Sequence, residues 1–268
     1  MVTSHVVEEH NGKGRGHTDH GNGKGKGHDK HQDDAMADGV YEIEIGGINH
    51  DNPGPVSTTS PPTTLRDGST LTTEAREGSV TIGEAGGQTA LNLQTDSENG
   101  RTRLNIGFDE DQQVTLGELD DLSFDYFIDS HTSLAGDIHI PVIRLVIDAD
   151  GDLSTTADRG ELAFEWAYQD GADKAASPTT EDAWHNADLV GDDWVAWQRS
   201  NNTNWDQIAN MTEFSDWADA DGHSVAGGLH FDENSVILGF QIALGSGNGT
   251  GSMFVDNVQV GGVTYDFV

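Results

Sequence analysis

Ile138-His-Ile-Pro-Val-Ile-Arg-Leu-Val-Ile147 runs without a break into Asp148-Ala-Asp-Gly-Asp-Leu-Ser154. Six β-branched apolar residues in ten predict one strand buried on both faces, and the Gly/Asp run predicts an acidic loop at its end. In that loop Asp148, Asp150 and Asp152 recur at every second position, with Asp158 and Glu161 close behind. A curled loop of this kind can bring several oxygen donors onto one hard cation, so Ca2+ in a structural role is the expectation. The spacing departs from an EF-hand: Gly151 falls at position 4 rather than 6, and Arg159 stands at position 12 where that motif has Glu. The competing reading is a solvated acidic surface.

Working outward, the pattern is that of an all-β domain. Ser79 to Ile82, Thr89 to Leu93, Arg103 to Ile106 and Leu122-Ser-Phe-Asp-Tyr-Phe-Ile128 are short apolar runs parted by Gly-rich turns. Val40-Tyr-Glu-Ile-Glu-Ile45 alternates and predicts a half-buried strand. Only one short helix is expected, within 205–217. Residues 1–38 differ from the rest. The first 34 hold six of the twelve His, five basic and six acidic residues and almost no apolar ones, which predicts a flexible His/Gly/Lys-rich tail ahead of a β-sandwich domain at 39–268. The tail reads either as a linker or as a metal-collecting or docking arm.

Charge points to the habitat. The chain has 47 acidic and 13 basic residues and a net charge of -34. With five basic and six acidic residues in the first 34, the body keeps 8 basic and 41 acidic ones. Such self-repulsion suits molar salt, and the composition resembles that of proteins from extreme halophiles. Six Trp and nine Phe supply enough apolar material for a core, which argues against a disordered acidic chain. Nucleic acid is excluded as a partner because the body repels phosphate. No apolar run approaches the roughly 18 residues of a membrane span, so no membrane insertion is expected. There is no Cys, which removes disulfides and thiolate metal sites. The acceptor patterns at Asn201, Asn210 and Asn248 favour an extracellular or cell-surface location.

The second half carries a resemblance. Leu122-Ser-Phe-Asp-Tyr-Phe, the strand at Val142, Glu161-Leu-Ala-Phe-Glu-Trp166, Ser235 to Ile242, and the ending Phe254-Val-Asp-Asn-Val-Gln-Val260 with Thr264-Tyr-Asp-Phe267 resemble a jelly-roll module of the carbohydrate-binding type. The resemblance covers about 120–268 and implies a jelly-roll antiparallel β-sandwich, with Asp256 matching a carboxylate that helps hold a structural calcium in many such modules.

Ligand binding is read from the aromatics. All six Trp lie between Trp166 and Trp217. Trp194 and Trp197, three apart, face opposite sides of an extended segment, which exposes at least one indole to stack on a sugar ring. The expected glycan surface comprises Trp184, Trp194, Trp197 and Trp205, with Asp193 and Gln198 to bond hydroxyls. The alternative packs these rings under long loops. Catalysis is not expected: Glu161 and Glu165 share a strand face as in laminarinase-like jelly-roll glucanases, but those enzymes carry an Asp between them where this chain has Ala163, and a degenerate glucanase-like jelly roll is the remaining enzyme reading. The function expected is therefore a non-catalytic glycan-binding or cell-surface module adapted to high salt. The alternative is a subunit of a surface filament, sheath or lattice, bound to neighbouring copies of itself through the N-terminal segment, with Val40 to Ile45 added to a neighbour's sheet edge.

Overall fold

The computed structural model describes residues 4–6, 39–43, 48–49, 58–65, 68–132, 140–165, 181–190, 194–200, 212–224, 229–245 and 250–268. In chain order the strands are β1 Ser4–Val6, β2 Gly39–Ile43, β3 Ile48–Asn49, β4 Thr58–Thr59, β5 Thr63–Thr64, β6 Thr70–Arg76, β7 Gly78–Ala85, β8 Gln88–Thr95, β9 Arg101–Gly107, β10 Val114–Thr115, β11 Leu122–Thr132, β12 Val142–Asp148, β13 Arg159–Phe164, β14 Trp184–Asp188, β15 Val195–Ser200, β16 Thr212–Glu213, β17 His223–Ser224, β18 His230–Phe231, β19 Val236–Leu244, β20 Thr250–Val260 and β21 Val263–Phe267. A single four-residue helix, α1, spans Phe214–Trp217 among the described residues.

Apart from β17 and β18, which pair with each other, these strands form a jelly-roll-like β-sandwich of two sheets, as the strand spacing predicts. In the first sheet β20 is the hub: β11 lies along its whole length on one side, while β8 and then β21 share the other. β11 carries β14 on its far edge, and β8 continues into β7 and β3. The second sheet runs β16, β15, β13, β12, β19, β9, β6, β4. The opening stretch lies at its centre. β12 pairs with β13 on one side and β19 on the other, and all its residues but Val146 are buried.

The core sits between the sheets. Leu91, Leu93, Phe124, Ile128, Val255 and Tyr265 from the first sheet meet Leu104, Ile106, Leu145, Ile147, Phe240 and Ile242 from the second. Burying a side chain of this size stabilises by about 1.5–3 kcal/mol, and dozens of them set the scale against which surface repulsion acts.

Two placements differ from the sequence reading. Ser4–Val6, inside the expected tail, pairs antiparallel with Gly39–Ile43. Gly39–Ile43 in turn pairs in parallel with Val263–Phe267 of its own chain, rather than lying on a neighbour's edge.

β19 carries the irregularity that seats it. Its pairing with β12 slips by one residue between Val146 and Ile147, and Gly239 there takes φ +150°. A Cβ on Gly239 would lie 2.1 Å from the Ile106 carbonyl oxygen of β9, a backbone atom that cannot give way without moving the strand. Gly239→Ala should therefore cost at least about 2 kcal/mol in urea unfolding measured in molar salt; a loss below about 0.5 kcal/mol contradicts this packing.

Candidate functional site

Two polar constellations stand out, one at the end of the β12–β13 hairpin and one on the outer face of the first sheet. The first is the β12–β13 hairpin. Asp148 closes the apolar run of β12 opposite Arg159, which places its carboxylate at 0 % exposure. Arg159 Nε donates to Asp148 Oδ2 at 3.0 Å and its guanidinium also reaches the Leu153 carbonyl at 3.0 Å, which folds the loop back over the strand end. The loop curls through a chain of short acid-to-backbone bonds. Asp152 N donates to Asp150 Oδ1 at 2.8 Å, and Asp150 N donates to Asp158 Oδ2 at 3.2 Å. This curl brings carboxylate oxygens of Asp148, Asp150 and Asp158 within 4.8 Å of one another.

Oδ1 of Asp148 is buried with no hydrogen-bond partner among the described residues. A buried carboxylate oxygen without a donor is costly, and a cation with oxygen ligands removes that cost. These three residues therefore fit a metal ion. Asp152 does not join them, because Ser154 claims it: its Oδ1 accepts from the Ser154 hydroxyl at 2.6 Å and the Ser154 amide at 3.1 Å, and these two bonds hold its carboxyl below the ordinary range. For Asp158, burial pushes the carboxyl up, but bonds from Thr155 and from backbone amides outweigh it and the net shift is downward. Asp158 thus stays anionic, as a cation ligand must.

The second constellation is the outer face of the first sheet. Alternation puts Phe127 of β11, Phe254 of β20 and Ala90 of β8 on this face, opposite to the core-facing Tyr126, Val255 and Leu91. Register then aligns Trp184, Phe127 and Phe254 across three strands, and they pack as a small apolar cluster of their own. Phe254 needs room there, and Gly83 supplies it: a Cβ on Gly83 would come within 3.0 Å of the Phe254 ring. Trp184 is half-buried, with its ring centroid 5.6 Å from that of Phe127 and its Nε1 donating to the Ala85 carbonyl at 3.2 Å, which fixes the indole plane.

Polar rows flank this aromatic line. On one side Asp125 accepts from Asn186 Nδ2 at 2.8 Å through one oxygen and from Asn257 Nδ2 at 2.9 Å through the other. On the other side Ser130, Ser252 and Gln94 lie in register across β11, β20 and β8. Asn257 reaches its position through a bulge. The pairing of β20 with β11 shifts between Ser123 and Asp125, and Asn257 takes φ +48°.

The remaining expected site residues are dispersed. Trp194 is 5 % exposed within the main core and has no face to offer a sugar, which corrects its place in the expected surface. Trp197 and Gln198 are positions in β15, opposite Ala163 and Leu162, with their side chains outside the described set. Asp193 and Trp205 lie outside the described residues. Asp256 is in the first sheet, apart from the second-sheet hairpin of Asp148, at the point where β20 exchanges β8 for β21 as partner. Asn186, Asp125 and Asn257 escaped the sequence reading. The period-two alternation in Ser123–Phe127 and Trp184–Asp188 puts Asp125 beside Phe127 and Asn186 beside Trp184 on one face, but only the pairing of β11 with β14 joins them.

No family model matches the chain, and no curated protein matches it. Among solved structures, a loop-swap mutant of Xyn11A from Necallimastix patriciarum aligns with 80 % of this chain and 97 % of its own at 11 % identity, with a TM-score of 0.36. The expectation that this chain is not an enzyme is not carried forward. The likeness transfers no reaction or residue to this chain.

Asp256 makes the stability of the fold depend on pH. Burial pushes its carboxyl up to about 6, bonds from the Phe267 and Asn257 amides pull it down, and Asp266 beside it adds to the rise. A carboxyl raised in the folded state contributes stability below its unfolded value, near 4, and loses it as pH climbs through about 6. Asp256→Asn keeps the oxygen that accepts from Phe267 N. In chelator and constant molar salt this variant should match wild type near pH 4 and exceed it near pH 7.5 by up to roughly 3 kcal/mol. An equal difference at both pH values contradicts the assignment.

Proposed function

We propose that this chain is a jelly-roll module, displayed outside the cell of a halophilic organism, that binds glycan on the outer face of its first sheet. The observation that carries this reading is the half-buried Trp184, backed by the buried Phe127 and Phe254 and flanked on both sides by rows of amides and hydroxyls. An indole held flat supplies an apolar face for the C–H side of a pyranose, and Asn186, Asn257 and Gln94 supply amides in the same plane for its hydroxyls. The acidic surface, with 47 acidic residues against 13 basic, supports operation in molar salt. A glycan array in molar NaCl tests the reading. Trp184→Ala should weaken every hit by about tenfold or more, about 1.4 kcal/mol. An array without hits, or hits that survive the substitution unchanged, sinks it.

The cation fitted by Asp148, Asp150 and Asp158 is Ca2+ in this reading. Three carboxylates on a curled loop match its preference for several hard oxygen donors and its tolerance of irregular geometry. Its role is structural: neutralising Asp148 lets the end of β12 stay buried. Ca2+ at a hundredfold excess over its Kd should stabilise the fold by roughly 2.7 kcal/mol and raise the melting temperature by several degrees, at constant ionic strength. Chelator should reverse the shift and Asp150→Asn, an exposed position, should abolish most of it. An unchanged midpoint leaves these acids as surface only.

A further inference from the structure

The outer face of the first sheet does not end at its aromatic line. The row beyond it, Ser130, Ser252 and Gln94, opens into a cleft of about 370 Å3 to which Asp96, His131 and Thr250 also contribute. That volume lies in the range of small-ligand pockets. From Trp184 the cleft is two strand spacings across and two residues along, about 12 Å by ordinary sheet geometry, a span for an oligosaccharide rather than a single ring.

The lining is specific in its chemistry. Ser130 and Ser252 offer hydroxyls and Gln94 an amide, with Gln94 Nε2 tied to Asp96 Oδ1 at 2.7 Å so that its carbonyl oxygen is left to face a ligand. His131 Nδ1 meets Glu181 Oε1 at 2.8 Å, which orients the ring and leaves Nε2 as its second polar atom. Asp96 therefore lines the cleft, Glu181 stands beside its His131 and offsets any charge on that ring, and no Lys or Arg is among the described lining residues. A uronate, sulfate or phosphate group entering here loses water to face like charge with no Lys or Arg to compensate.

We propose that this cleft is the end subsite of the glycan face and that it accepts a sugar residue without negative charge, neutral or amino-substituted, while rejecting acidic sugars. The inference rests on the glycan reading above and adds to it the class of sugar. Asp96 is a specificity residue, acting by repulsion, and Trp184 is the shared platform that binds any sugar regardless of charge.

Titration calorimetry in molar NaCl with chito-oligosaccharides, chitosan oligosaccharides and oligogalacturonates separates these roles. Wild type should bind the first two at least about tenfold more tightly than the third. Asp96→Asn, which preserves an acceptor for Gln94 Nε2, should narrow that gap about fivefold by improving galacturonate binding. Trp184→Ala should weaken all three classes alike and leave their ratio in place. Oligogalacturonates bound within twofold of the neutral oligomers, or a ratio untouched by Asp96→Asn, overturn the end-subsite proposal while the glycan reading stands. Selectivity that shifts with Asp96→Asn but binding indifferent to Trp184→Ala overturns the platform instead. No binding of any class overturns both.

Discussion

The fold depends on burying one strand on both faces in a protein whose surface repels itself. β12 lies in the middle of the second sheet with neighbours on both edges, and its Ile143, Leu145 and Ile147 are buried among Leu162, Phe164, Phe240 and Ile242. Side chains of this size each contribute about 1.5–3 kcal/mol on burial, and many of them together outweigh a diffuse negative charge that salt further screens. The same strand must end somewhere, and it ends on Asp148 at 0 % exposure. A carboxylate so placed needs a counter-charge. Arg159 answers one oxygen, and the acidic curl of Asp150 and Asp158 around the other makes a cation the natural partner.

Salt and local charge act at different ranges here. At molar ionic strength the Debye length falls to about 3 Å, so exposed acids set apart across the surface hardly sense one another, and only groups in direct contact, such as a ligand charge against a lining carboxylate, still do. Buried groups are shielded from that screening. Asp256, 4 % exposed with Asp266 beside it, therefore keeps a raised carboxyl even where the surface is electrostatically quiet. By the same logic the ion pair of Arg144 with Glu161, at 4.0 Å and with Arg144 5 % exposed, belongs to the interior of the second sheet's outer face rather than to the solvated surface.

Much of this was legible in the residues because β-structure writes its period locally. The runs at Ser79–Ile82, Thr89–Leu93, Arg103–Ile106, Leu122–Ile128 and Phe254–Val260 all fall in strands, as does Ser235–Ile242 but for Ser235, and the all-β sandwich follows from them. β6 was missed, since Thr70-Leu-Thr-Thr-Glu-Ala-Arg76 buries only Leu71, Thr73 and Ala75 and offers little apolar signal. Site residues were harder, because a site is a product of register. Asp148, Asp150 and Asp158 are near in sequence and met as expected from spacing, whereas Asp152 was diverted by Ser154, two residues on. Trp194 and Trp184 look alike as letters, yet one packs in the core and the other lies half-buried beside Phe127, a distinction set by which strand each joins. The match of Asn186 to Asp125 to Asn257 spans three strands and has no sequence signature at all.

The most direct test of the account is to locate bound sugar on the molecule. Two-dimensional NMR of the labelled protein in molar salt, titrated with neutral chito-oligosaccharide, should move the Trp184 indole N–H and the side-chain amides of Asn186, Asn257 and Gln94, leaving Asn105 and Gln241 of the second sheet in place. Perturbations gathered instead on Asn105, Gln241 and Arg144 would put the ligand on the opposite sheet and contradict it.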